Sequence, residues 1–128
     1  VSIEPRTVHV NVLTVQPTEV AEPAWCVGHP ALDSDEARAQ FHTDIDHSGT
    51  EHHLDFRGER LWTALLTQAP FSSDPSLRVY VEQSGYARSL DPAGLYDLAA
   101  ALDTHADRLR DLADQLDALL AEETPGEA

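Results

Sequence analysis

The chain has 128 residues, enough for one domain with one core that buries roughly two thirds of the surface exposed by the unfolded chain. Acidic residues number 23 against 8 basic ones, all arginine, for a formal net charge of -15; nucleic-acid affinity comes largely from Lys and Arg displacing counterions, so direct binding to a phosphate backbone is not expected. A single cysteine excludes an internal disulfide, and no apolar run or leader pattern marks a membrane or secreted protein, so a soluble cytoplasmic one is expected.

The first predicted element is a strand at 7–15, "TVHVNVLTV", in which Val8, Val10 and Val12 alternate with His9, Asn11 and Leu13. Residues 16–34 carry three prolines and no sustained period, which predicts a loop, followed by one helical turn at "DSDEARAQF". A polar, histidine-rich stretch follows at 42–53, then a short strand at "HLDFRG". The segment "RLWTALLTQAPF" is ambiguous: Leu61, Thr63, Leu65 and Thr67 alternate, while Trp62, Leu65, Leu66 and Ala69 have helical spacing. Pro70 and the "SSDPS" turn favour a strand at 60–69 that enters a hairpin with "LRVYVEQSG".

The last element is a helix over 91–122, with Asp91 as N-cap, Pro92 at the first helical position and a short disordered tail at 123–128. Leu95, Leu98, Leu102, His105, Leu109, Leu112, Leu116 and Leu119 follow one another at alternating spacings of three and four, a heptad stripe with one histidine in it. At 1.5 Å per residue such a helix is about 45 Å long, while a four-stranded sheet is only about 15 to 20 Å across. The helix outreaches the sheet, which predicts a homodimer through residues 92–121, with His105 setting register in the seam.

The chemistry gathers around "PAWCVGHP". Cys26, His29, His42 and His47 form the pattern C-x2-H-x12-H-x4-H, close to the spacing of a small zinc site with its second cysteine replaced by histidine. Zinc takes thiolate and imidazole in a tetrahedral array, two ligands can grip it from one tight turn, and Gly28 gives that turn its freedom. His52 and His53 are reserve ligands for the second pair. The competing reading is a buried Cys26 packed as a small hydrophobe among solvated histidines.

Two other chemistries draw on the same region. Asp44, Asp46, Ser48, Gly49 and Asp55 match positions 1, 3, 5, 6 and 12 of a calcium loop, yet Glu51 stands at the usually apolar position 8 and position 12 is not Glu, so calcium is not expected. A three-ligand zinc with an open position would activate water, with Glu51 or Asp46 as general base. None of the common hydrolase or deaminase motifs accompanies it, which favours a structural ion.

At "PAWCVGHP", "DHSG", "LTQAPFSSDPSLRVYVE" and the closing "LDPAGLYDLAAALDTHADRLRDLADQL", the chain resembles a family of small actinobacterial (streptomycete-type) proteins of unknown function over about residues 20–120. That family carries a Trp-Cys followed closely by His, a later His-x-Gly and a Leu/Ala-rich C-terminal helix introduced by Asp-Pro. The resemblance implies that Trp25, Cys26, His29 and His47 belong to the family pattern, and it supports a shared metal site. It implies no activity.

The expectation is a single α+β domain over 1–128: a small antiparallel sheet, a Cys/His loop tied by zinc within 7–58, a hairpin region at 59–90 and one long C-terminal helix. The expected function is that of a non-enzymatic accessory or regulatory protein acting through protein contacts. The alternatives are a zinc-dependent hydrolase and an acidic nucleic-acid mimic that captures a basic protein.

Overall fold

β1 (Arg6–Val12) forms where alternating valines predict a strand, and the computed structural model describes residues 5–12, 17–29, 39–40 and 44–123. β2 (Pro17–Glu22) pairs antiparallel with β1 from Arg6↔Glu22 to Asn11↔Pro17. β3 (Ala39–Gln40) pairs parallel with β1 on its other edge, giving the order β2-β1-β3. The loop expected from residue 16 is therefore corrected: residues 17–22 are an edge strand. Pro17 heads it, where no ladder N–H is required, and Val20 packs with Ile45 and Val8 in a small core. The rest of the helical turn expected at 33–41 lies outside the described residues.

The chain divides into two compact units, Val1–Thr50 with Leu66–Arg78 and Glu51–Leu65 with Val79–Ala128. In the first, β4 (His47–Ser48) pairs with the end of β6 (Glu59–Gln68) through His47↔Gln68 and Ser48↔Thr67. In the second, β5 (His52–Phe56) pairs antiparallel with the earlier part of β6, and β7 (Arg78–Gln83) also pairs with β6. Arg57 and Gly58, with φ of 50° and 83°, close the β5–β6 hairpin in two residues between the pair Phe56↔Glu59. A two-residue turn with both φ values positive matches the twist of the strands it joins.

The ambiguity over 60–69 resolves as strand. Leu61 and Thr63 are buried at odd positions and Ala64 and Leu66 at even ones. A central strand covered on both sides is apolar at both parities, so its alternation is masked.

α1 (Pro92–Glu123) runs for 32 residues. Asp91 caps it as expected: its Oδ1 accepts the Gly94 N–H at 2.8 Å and its carbonyl accepts the Leu95 N–H at 3.0 Å. Glu123, placed at the start of the expected tail, is still helical; 124–128 lie outside the described residues. Leu98 and Ala101 pack on the core of Leu54, Phe56 and Leu61, joined by Trp62, Tyr86 and Leu90. The heptad stripe is thereby split. Leu98 is half-buried and His105 and Leu112 are buried, whereas Leu95 and Leu102 stay 57% and 43% exposed.

Small, chiefly antiparallel sheets with one long C-terminal helix make the fold α+β. No helix among the described residues is long and apolar enough to cross a membrane.

Candidate metal centre

The end of β2 and the turn after it place three potential ligands within eight residues. Glu22 closes the strand. The Cys26 N–H then donates to the Pro23 carbonyl at 3.0 Å, turning the chain so that the thiol points back at the Glu22 carboxylate. Gly28, at φ 96°, bends it again; no atom crowds its Cα, so the backbone angle and not lack of space calls for glycine. His29 then returns its ring to the sulfur. The Val27 N–H donates to the Ser48 carbonyl at 3.0 Å, fastening this turn beside β4 and bringing in His47.

One donor atom from each of Glu22, Cys26, His29 and His47 lies within 4.8 Å of all the others. Cys26 Sγ is 3.6 Å from Glu22 Oε1 and 3.6 Å from His29 Nε2, and His29 Nε2 is 3.1 Å from Glu22 Oε1. Tetrahedral zinc with ordinary bond lengths sets sulfur about 3.6 Å from oxygen or nitrogen, and oxygen about 3.4 Å from nitrogen. The observed separations match these edges to within a few tenths of an ångström.

His47 is the member of the group with a ring nitrogen that lacks a protein partner among the described residues. It is 2% exposed, and its Nδ1 has no hydrogen-bond partner among the described residues. Burial, followed by the neighbouring His29, holds the His47 pKa below the ordinary histidine value, which favours the neutral, ligand-competent ring. Trp25 meets the His47 ring edge-on at 6.3 Å.

Outer contacts brace the group. The Gly28 N–H points at Cys26 Sγ at 3.4 Å. Arg6 on β1 donates to the Pro23 carbonyl at 3.1 Å and to the Cys26 carbonyl, while its Nε lies 3.7 Å from Glu22 Oε2. Glu22 thus turns one oxygen to the site and the other to an arginine. One thiolate, one carboxylate and two neutral imidazoles balance the charge of a divalent cation, and the thiolate and imidazoles are donors that calcium and magnesium do not select.

Of the residues expected from spacing, Cys26, His29 and His47 converge. His42 lies outside the described residues. His52 and His53 fall in β5, in the other compact unit, and are not in the group. Glu22 is a member of the group that spacing did not indicate; its signal is E-x3-C at the end of a strand, hard to single out among 23 acidic residues. The suggested calcium loop is instead paired strand at His47–Ser48 and His52–Phe56, with Asp55 accepting from Arg60 Nε at 3.1 Å.

A domain of unknown function, DUF6907, matches residues 7–118. The chain belongs to the DUF6907 family. The match spans β1 through most of α1 and includes all four members of the metal group, so this potential centre lies inside the DUF6907 domain. No curated protein and no solved structure matches the chain.

Proposed function

We propose that Glu22, Cys26, His29 and His47 bind one zinc ion that fastens the proline-rich turn to the sheet. The observation that carries this reading is the convergence of a thiol, a carboxylate and two imidazoles within 4.8 Å of one another, three of them at tetrahedral separations and the fourth, His47, buried with an unpartnered ring nitrogen among the described residues. Four protein donors complete a tetrahedron and leave no position for a reactive water, which favours a structural ion over a hydrolytic one. Such an ion contributes its binding energy directly to folding, in a unit whose described apolar cluster is only Val20, Ile45 and Val8.

The protein then acts as a non-enzymatic accessory module through its surfaces, with a second copy meeting α1. The row Leu95 and Leu102, left exposed while Leu98 and His105 face their own unit, supports that contact. The test of the metal reading is cobalt(II) substitution. Thiolate-to-metal charge-transfer absorption and intense tetrahedral d–d bands are expected from wild type, with the charge-transfer band lost in Cys26→Ser. Weak octahedral bands, unchanged by Cys26→Ser, would overturn it.

A further inference from the structure

The heptad stripe expected on α1 is partly consumed within its own unit: Leu98 packs on the core, and His105 and Leu112 are buried. Beside it, rotated away from that core, lies a second apolar row of the same period. Leu95, Leu102, Leu109 and Leu116 recur every seventh residue, and Ala99, Ala106 and Ala113 follow the first three at a spacing of four. Leu95, Leu102, Ala99 and Ala113 are exposed, and Ala106, Leu109 and Leu116 are half-buried. Tyr96, Asp103, Arg110 and Asp117, also seven apart and all exposed, run along the outer flank of this row.

We infer that the second copy of this chain lies antiparallel along this second row, with the two-fold axis beside Ala106, an inference that rests on the self-contact of α1 proposed above. Such a contact uses the same patch on both copies, so every pairing in it occurs twice. Leu102 meets the partner's Leu109, Leu95 meets the partner's Leu116, and Ala99 meets the partner's Ala113. The leucines bury apolar area, and the alanines let the two backbones approach to about 8 Å.

Charge selects this orientation. In the antiparallel register Asp103 faces the partner's Arg110, and the Tyr96 hydroxyl donates to the partner's Asp117. Parallel copies in register would set Asp103 against Asp103, Arg110 against Arg110 and Asp117 against Asp117, like charges at each point of the flank. Antiparallel helices also oppose their macrodipoles. The same register overlaps the helices almost end to end, because Ala106 lies near the middle of Pro92–Glu123. Within one copy Arg110 pairs with Asp107 at 2.9 Å, but both side chains are more than 70% exposed, and so weak a surface pair leaves the guanidinium available to a partner.

The test measures the distance between nitroxide labels on Ala93→Cys, an exposed position in the first turn of α1, by double electron–electron resonance on the zinc-loaded full chain. Wild type, whose Cys26 is buried, serves as the labelling control. The antiparallel register sets residue 93 opposite about residue 119 of the partner, so the labels lie about 40 Å apart at 1.5 Å per residue, whereas parallel copies bring them within about 20 Å. Asp103→Arg should raise the dimer dissociation constant in sedimentation equilibrium roughly threefold to thirtyfold, and adding Arg110→Asp should restore it. Asp111→Arg, which changes the net charge equally on an exposed position off the row, should leave the dimer no weaker. A dimer with labels within about 20 Å, or one that Asp103→Arg leaves unchanged, overturns the antiparallel pairing while self-association stands. Protein that is monomeric at every concentration removes the self-contact and the orientation with it.

Discussion

Replacing Cys26 with serine removes the one soft donor of the centre while changing little else. The side chain is 2% exposed, and a serine hydroxyl retains a donor toward Glu22, so the metal-free forms of wild type and variant should differ by only about 1 kcal/mol. Zinc distinguishes them. An ion kept at a hundred times its dissociation constant adds about 2.7 kcal/mol to the folded state. For a chain of 128 residues this raises the melting temperature by about 10 °C. A thousandfold loss of affinity, about 4 kcal/mol, on exchanging thiolate for a neutral hydroxyl would leave the same zinc concentration contributing about 0.1 kcal/mol or less. Differential scanning calorimetry with and without a chelator should therefore show a chelator-sensitive melt in wild type and coincident melts in Cys26→Ser. Equal chelator shifts in both proteins would refute the role given to the thiol, and no shift in wild type would refute the stabilising ion.

Arg6→Gln should weaken zinc binding about tenfold to a hundredfold in competition with a chromophoric chelator, because it frees the second Glu22 oxygen and the carbonyls of the turn; unchanged affinity would reduce Arg6 to a surface residue. For His105, burial and the nearby Arg108 hold the pKa below the ordinary value of 6.5, so the folded state binds fewer protons than the unfolded one and its contribution to stability, complete above 6.5, falls as pH drops below it. His105→Leu should flatten that part of the wild-type pH–stability curve and raise stability at neutral pH by about 1 kcal/mol or more, since two ring nitrogens unpartnered among the described residues go; a parallel curve would contradict the burial argument. Leu102→Glu should shift sedimentation toward monomer, and added salt should strengthen the wild-type dimer by screening the acidic helices; a wild-type monomer at all concentrations would remove the helix contact.

Elements whose driving force is local were legible in the chain. The α1 start follows from Asp91 and Pro92, and β1 from its alternating valines, because capping and period are carried by neighbouring residues. β2 was not legible: among its six residues only Val20 joins the described core, and the ladder to β1 stabilises the rest through backbone groups that any residue supplies. The stripe on α1 was visible, but not what covers it. Leu98 and His105 meet their own sheet unit because the β5–β6 hairpin presents Leu54, Phe56 and Trp62 to them.

The centre shows the same division. Cys26, His29 and His47 could be picked out because cysteine and histidine are uncommon and their spacing is restricted. Glu22 required the structure, since its role depends on β2 ending beside the turn and on Arg6 holding its other oxygen. His42, expected from a finger-like spacing, lies outside the described residues, and His47 joins Glu22, Cys26 and His29 across the Val27–Ser48 backbone bond.

The central claim is that this donor set binds a resident zinc ion, and elemental analysis of untagged protein tests it most directly. One zinc per chain in wild type, falling to near zero in Cys26→Ser and His47→Ala purified in the same way, is the expected result. Wild-type protein that carries no zinc and takes up none on refolding with it, or variants that retain a full equivalent, would contradict the account.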